Sequence, residues 1–570
     1  MHTRIPARRV LRRALVTTVV LAVGVVPAAW VATPAAAAQP AAPAAAGTAP
    51  RVSWSACRDG FQCGTLSAPL DHDRPHGPAI GISVIRLPAG VPAQRIGSLM
   101  INPGGPGGSG VDVVRDVARL LPLELRARFD IVGFDPRGIL RSTPLRCFDT
   151  FDQALDVLPP FPFPVTTAEE NVQRAADDRL AAACARRGSP ILAHMSTADA
   201  ARDMDLLRRA LGDPKLTYLG FSYGSMLGQT YANLFPGRVR ALVVDGVLDP
   251  IAWTTGRGAE ARTVPFSTRL RSDQGAQATL GEFFRLCDAA RADCAFAGRA
   301  DRRYAALAQR LRRQPVTVTD PETGETFRFT YQDLIGISLG ALYGPGSWPD
   351  FAMFLRDLER QASATVVGRR LATVRAGLGL AAAPPEPYPN VVEGFPGVAC
   401  SDSVNPRSFH AYQRAADTAE RRYGYFGRLW TWASGICRPW PRGAGQDRHL
   451  GPWTARTSSP VLIVGNHYDP ATRYQGAVVA SRLLPNSRLL TYAGWGHTAF
   501  FSAGNFCVDQ HVTTYLVTTR LPARGTVCRP AGSPFGPLEA TARRQATTAA
   551  AAVLTGSALP APVRRAVRAR

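Results

Sequence analysis

Lysine is nearly missing from this chain. Among its 66 basic side chains Lys215 is the single lysine, and the arginines are spread along all 570 residues. The formal charge of +23 is therefore not gathered into a stripe or patch, as an electrostatic footprint for nucleic acid would be. A nucleic-acid partner is excluded on that ground, and what remains is weak association with acidic cell-wall polymers. C-x-x-C pairs are missing too, which removes zinc-ribbon and thioredoxin-like chemistry. No Gly-Lys-Ser/Thr sequence closes a phosphate-binding loop, and no cluster of metal-ligating side chains stands at a metal-site spacing. Neither a metal nor a cofactor is expected. Beyond the first thirty or so residues, no apolar run is long enough to cross a membrane.

That first stretch has the form of a targeting signal. Arg4, Arg8, Arg9, Arg12 and Arg13 precede the apolar run Ala14 to Val26, and small residues lead to Ala36-Ala37-Ala38. Residues 1–38 are expected to be a signal peptide, with an uncleaved anchor as the alternative. Ala7-Arg8-Arg9-Val10-Leu11 loosely resembles a twin-arginine signal. No cysteine follows the apolar run, so a lipid anchor is not expected. The expectation is a secreted protein with no stable membrane insertion once the signal is gone. The ten cysteines fit an oxidising compartment. Taken as sequential neighbours they predict the disulfides Cys57–Cys63, Cys147–Cys184, Cys287–Cys294, Cys400–Cys437 and Cys507–Cys528, although spacing alone leaves the connectivity open.

The stretch with chemical content is Leu216-Thr-Tyr-Leu-Gly-Phe-Ser222-Tyr-Gly-Ser-Met-Leu-Gly228, which reads as a buried strand, a tight turn and a helix. Gly220-Phe-Ser222-Tyr-Gly224 is the G-x-S-x-G pattern of a nucleophile elbow. A serine hydroxyl is a weak nucleophile without a base and an orienting carboxylate. Asp469 and His497 each follow a strand-like run downstream (Pro460 to Gly465 and Ser487 to Tyr492), and the order Ser222, Asp469, His497 is that of an α/β-hydrolase. Asp245 and Asp249 are alternative acids, and His467 and His511 alternative bases. Upstream, Ser98 to Asn102 runs into Pro103-Gly-Gly-Pro-Gly-Gly-Ser-Gly110, a loop suited to an oxyanion. Backbone N–H groups of Tyr223 and of Gly104 or Gly105 are the expected oxyanion donors. Asp135 and Arg137 read as a loop-bracing pair, and Thr197 as the cap of a helix over 198–211. A second formal match, Gly336-Ile-Ser338-Leu-Gly340, follows a capping-box signal at Thr330 and Asp333, so Ser338 is expected inside a helix and structural.

The predicted fold is α/β, a mostly parallel doubly wound sheet of α/β-hydrolase type with a large, mainly helical cap inserted between core strands. The organisation that follows is a signal (1–38), an Ala/Pro-rich leader (39–50), core (51–250), cap insertion (251–450), core resumed (451–530) and an Ala/Arg-rich tail (531–570).

Several motifs together resemble the secreted tripeptidyl aminopeptidase family, α/β-hydrolases related to prolyl aminopeptidases. They are Cys63-Gly-Thr-Leu with Pro69-Leu-Asp71, Asn102 to Gly110, Gly133-Phe-Asp-Pro-Arg-Gly138, Tyr218 to Ser225, Asp245-Gly-Val-Leu-Asp-Pro250 and Asp469-Pro-Ala-Thr472. The resemblance covers about Trp54 to Cys528. It implies a serine exopeptidase acting on peptides with a free N-terminus, with the cap roofing the site. Pro103 stands where prolyl aminopeptidases carry histidine, and Arg473 where this branch usually has proline. A carboxylate must meet the substrate ammonium, and Asp402, in Ala399-Cys-Ser-Asp402, is the expected one; a loop-capping role is its alternative. The competing functions are an exported esterase or amidase for small acyl compounds and a catalytically silent wall-associated binding protein.

Overall fold

The computed structural model describes residues 50–188, 190–377, 388–501 and 506–536. The expected signal, nearly all of the expected leader and most of the expected tail lie outside the described residues. No helix among the described residues is long and apolar enough to cross a membrane.

Ten strands form one sheet. They are β1 (Ser55–Arg58), β2 (Phe61–Pro69), β3 (Ala79–Leu87), β4 (Gly97–Asn102), β5 (Phe129–Phe134), β6 (Leu216–Phe221), β7 (Val239–Asp245), and, after a hairpin β8 (Val316–Thr319) and β9 (Thr326–Phe329) that pairs apart, β10 (Val461–Tyr468), β11 (Ser487–Trp495) and β12 (Val527–Cys528). The order across the sheet is β1-β2-β3-β5-β4-β6-β7-β10-β11-β12. From β5 to β12 every pairing is parallel, whereas β1, β2 and β3 add an antiparallel edge. Burial follows that division. β4, β5 and β6 are buried at every residue, as a strand covered on both faces must be, while β2 alternates.

Side chains of successive strand residues enter opposite layers. Met100, Leu242 and Val244 join a core with Met204 and Leu207 of the helix Thr197–Ala210 and with Met226 and Leu227 of the helix Tyr223–Leu234. Leu99, Ile101 and Val243 join the other, with Val111 and Val114 of the helix Gly110–Val117 and Val512 and Leu516 of the helix Phe506–Thr518. The sheet leaves at Asp245 and resumes at Val461; between them the described chain is helical apart from the β8–β9 hairpin. That insertion has a core of its own around Phe283, Tyr304, Trp348 and Phe351.

Ser338 lies inside the helix Tyr331–Tyr343, opened by the expected capping box of Thr330 and Asp333. Its hydroxyl donates to the Leu334 carbonyl at 2.6 Å and meets the Tyr304 hydroxyl at 2.8 Å. Two local expectations are corrected. Ser196, not Thr197, caps the helix Thr197–Ala210, accepting from the Asp199 N–H. Asp135 and Arg137 do not brace each other: Asp135 accepts from Ser109 Oγ and Arg141, while Arg137 makes a two-pronged pair with Asp203 at 2.7 and 2.6 Å. In both cases side-chain reach across the fold decided between neighbours that are equivalent along the chain.

The ten cysteines pair as the sequential neighbours, and none of those in the described residues is free. Cys400–Cys437 spans 37 residues of the insertion. A loop of that length is worth about 4 kcal/mol by the chain-entropy relation. The double variant Cys400→Ser/Cys437→Ser should therefore lower the urea midpoint by a corresponding amount; an unchanged midpoint would show that the insertion does not depend on this bridge.

Candidate active site

β6 delivers the chain to Ser222, and the helix Tyr223–Leu234 starts at the next residue. Ser222 has φ 56° and ψ −122°, a conformation that L-residues adopt at a cost of about 1–3 kcal/mol. Its surroundings enforce it. The Ser222 N–H donates to the Asp245 carbonyl at 2.8 Å, and the Ser222 carbonyl accepts from the Ser225 N–H at 2.8 Å. A Cβ on Gly220 would fall 2.4 Å from the Gly224 carbonyl oxygen, and one on Gly224 2.8 Å from that of Asn102. Both glycines of the motif are thus steric requirements of the turn.

The glycine-rich loop lies directly against this turn. Gly104 has φ 98°, and a Cβ there would stand 2.5 Å from the Phe221 carbonyl oxygen, 2.8 Å from Ser222 Cβ and 2.9 Å from the Tyr223 nitrogen. Asn102 Oδ1 accepts the Gly104 N–H at 3.0 Å. Of the two expected loop donors, Gly104 is therefore engaged within the loop. Together with the Tyr223 N–H at the positive end of its helix, the loop makes a place where a developing oxyanion is favoured.

The loops after β10 and β11 bring Asp469 and His497 together, both buried. His497 Nδ1 stands 3.0 and 3.1 Å from the two carboxylate oxygens of Asp469. The carboxylate is itself fixed: Oδ1 accepts from the Ala471 and Thr472 N–H groups at 2.8 Å each, and Oδ2 from Thr472 Oγ1 at 2.8 Å. Thr472 Oγ1 also lies 3.2 Å from His497 Nδ1. With Nδ1 turned to Asp469, Nε2 faces the other way, buried and without a hydrogen-bond partner. No hydrogen bond joins it to Ser222. The two sides of the site are linked through Asp245, whose main-chain carbonyl holds Ser222 while its carboxylate accepts from Ala499 and Phe500, just after His497.

The rival residues are placed elsewhere. The Asp245 side chain touches the chain after His497, not its ring. Asp249 caps the short helix Pro250–Thr254 and pairs with Arg257 at 2.8 Å. His467 is exposed against the Tyr474 ring, and His511 lies within the helix Phe506–Thr518.

Asp402 has its hydrogen bonds committed inside the protein. It is buried and accepts from the Thr197 N–H at 2.7 Å, the Thr197 hydroxyl and Trp253 Nε1 at 3.0 Å. Thr197 Oγ1 in turn meets the Tyr223 hydroxyl at 2.6 Å. This corrects the expectation that Asp402 faces a substrate ammonium: with three donors already on it, the carboxylate anchors the insertion to the residue that follows Ser222. Freed from capping, Thr197 is what makes that bridge.

The insertion reaches the other loops as well. The Tyr343 carbonyl accepts the His497 N–H at 2.8 Å, and the Tyr343 ring stands edge-on to the imidazole at 4.8 Å. Ser272 Oγ donates to the Ala471 carbonyl, and Gly275 packs on the Asp469 carbonyl, 2.4 Å from where its Cβ would be. Thr472, Tyr343 and Asp245 were not singled out for these tasks from sequence. Thr472 and Asp245 carried a signal, as parts of the Asp469-Pro-Ala-Thr472 and Asp245-Gly-Val-Leu-Asp-Pro250 motifs, whereas Tyr343 carried none.

Comparison with known proteins adds the following. The chain matches the family described as TAP-like protein over residues 423–528 and that described as alpha/beta hydrolase fold over residues 97–281. It is 33% identical over 500 residues to the serine protease Hip1 of Mycobacterium tuberculosis, covering 84% of this chain and 91% of that protein. It is 30% identical over 478 residues to the tripeptidyl aminopeptidase of Streptomyces lividans, covering 83% and 84%. It is 34% identical over 516 residues to carboxylesterase B of Mycobacterium tuberculosis, covering 86% and 92%.

Burial gives the site a pH signature. It pushes the Asp245 carboxyl up to about 7 from an ordinary value of 3.8, against the opposing pull of the Phe500 and Ala499 N–H groups. Between those two values the folded state holds the proton and the unfolded state does not, so this group's contribution to stability rises as pH falls from about 7 towards 4. Thermal midpoints of the wild type and Asp245→Asn should therefore diverge with pH. Whatever the amide costs at every pH, the wild type should lose stability relative to the variant between pH 5.5 and pH 8. Parallel curves would refute the assignment.

Proposed function

The chain belongs to the tripeptidyl aminopeptidase-like family of α/β-hydrolases, a serine hydrolase family, and from that premise we propose that it is a secreted exopeptidase releasing short peptides from free N-termini. Ser222 Oγ attacks the scissile carbonyl. His497 Nε2 takes the serine proton and returns it to the leaving amine, while Asp469 holds the imidazole tautomer and stabilises the imidazolium. The N–H groups of Tyr223 and Gly105 receive the tetrahedral oxyanion, with Gly104 keeping the loop against the elbow. One such donor contributes about 3 kcal/mol to the transition state. Water then hydrolyses the acyl-enzyme by the same route in reverse.

The observation that carries the exopeptidase reading is the grip of the insertion on all three loops. Tyr343 is on the His497 backbone, Ser272 and Gly275 are on the Asp469 loop, and Asp402 is tied to Tyr223 through Thr197. A helical roof attached at three points favours a chain terminus over the middle of a folded polypeptide. The expected disulfides and signal-like N-terminus fit export, and the site calls for no cofactor. A second reading, an exported esterase for small acyl compounds, is favoured by the carboxylesterase relative.

Two chromogenic tripeptide substrates, identical except for N-acetylation, separate these readings. The unblocked one should be cleaved at least tenfold faster, and a fluorophosphonate should label the wild type but not Ser222→Ala. Equal cleavage would favour the esterase; an unlabelled wild type would sink both. Thr472→Val removes a hydroxyl from both Asp469 and Nδ1. It should lower kcat by about 10- to 100-fold with KM little changed, because the lost interaction is one that orients the base and not one that binds substrate. A fall confined to KM would place Thr472 in substrate binding instead.

A further inference from the structure

A cavity of about 280 Å³ has Thr472 in its wall, but neither Asp469 nor His497. It lies where the chain after β7, the start of the helix Ser272–Ala290 and the start of the helix Tyr474–Leu483 meet. Its charged lining is lopsided: Arg257, Arg269, Arg271 and Arg473 against Asp249 and Glu260.

Following each group to its partners shows which are spoken for. Arg257 pairs with Asp249 at 2.8 Å, and Glu260 accepts the Arg257 backbone N–H at 2.7 Å. Arg269 is spent on backbone carbonyls, among them those of Ala252, Trp253 and Val404. Arg271 and Arg473 are left. Among the described residues, the Arg271 side chain makes no hydrogen bond or ion pair. Arg473 donates to Gln274, while its Nε is buried without a partner. Burial first and then the like charge of Arg271 make Arg473 less basic, so the two cations oppose each other across the site. Asp273 is a carboxylate that feels both: burial pushes it up to about 6, its Oδ1 accepts the Gln274 N–H, and its Oδ2 makes no hydrogen bond to either guanidinium. Arg271 also has a left-handed backbone, φ 59°, and stands at the N-terminus of a 19-residue helix, whose positive end adds to the same field.

We infer that this cavity binds a compact oxyanion, phosphate or a small dicarboxylate, held by the guanidinium groups of Arg271 and Arg473. Guanidinium forks match such anions two bonds at a time. Because Arg473 follows Thr472 directly, an anion here bears on the segment that fixes Asp469 and His497. The site does not depend on the proposed peptidase activity.

The test uses the full chain at fixed pH and constant ionic strength, with sodium chloride replaced stepwise by sodium phosphate or, separately, sodium malonate. The thermal midpoint should stay level below the dissociation constant and climb with the logarithm of anion concentration above it, by about 1–3 °C at tenfold excess. Arg271→Gln and Arg473→Gln should each raise the concentration at which the climb begins at least tenfold, while Arg313→Gln, an exposed arginine elsewhere, should not. Arg271→Gln removes a side chain that makes no hydrogen bond or ion pair among the described residues, so its fold is not at stake. A response to phosphate alone assigns a tetrahedral anion and to malonate alone a carboxylate; either supports the proposal. Absence of such a climb with both anions, or an unchanged onset concentration in Arg271→Gln, overturns it. The same titration on Ser222→Ala should give the same anion-dependent shift from that variant's own baseline, which keeps this result separate from any failure of the peptidase reading.

Discussion

The backbone of Ser222 must hold a positive φ, and much of the rest of the structure can be understood as what makes that possible. The strain is local, but its restraints come from far along the chain. The Asp245 carbonyl, one strand away, takes the serine N–H, and the glycine loop after β4 presses on the turn from the other side. Sheet order explains why those two flank it: β6 lies between β4 and β7. A strained residue persists only where its surroundings over-determine it, and here both neighbouring strands do so.

Burial of charge is the second organising constraint. Asp469, Asp402, Asp245 and Arg137 are all withdrawn from water, and each is surrounded by specific donors or acceptors. Removing one partner from such a group leaves an uncompensated polar atom, which costs far more than the bond is worth on balance. The loops that carry the site are therefore rigid because their polar groups have no second arrangement that satisfies them. The cavity beside Thr472 is the exception, since two of its arginines, Arg271 and Arg473, lack that completion.

What could be read from sequence, and what could not, divides by the range of the interaction. The elbow, the glycine loop and the order Ser222, Asp469, His497 were legible because short motifs carry their own steric logic. Ser338 could be set aside because a capping box is local too. Thr197, Asp402 and the pair Asp135 and Arg137 were misjudged for the opposite reason. Their partners are Tyr223, Trp253, Arg141 and Asp203, and no periodicity or spacing brings those together before the sheet is folded. The support that Tyr343 gives His497 belongs to the same class: it joins the end of an inserted helix to a loop about 150 residues later.

That last contact changes how the insertion has to be thought of. A lid that merely covers a site can swing on a hinge and leave the chemistry beneath it intact. Here the insertion's own backbone carbonyl holds the His497 N–H, so lifting the insertion would break a contact of the proposed base. The inserted helices and the catalytic loops form one mechanical part, so exchanging the insertion for that of a relative would amount to replacing half of a joint.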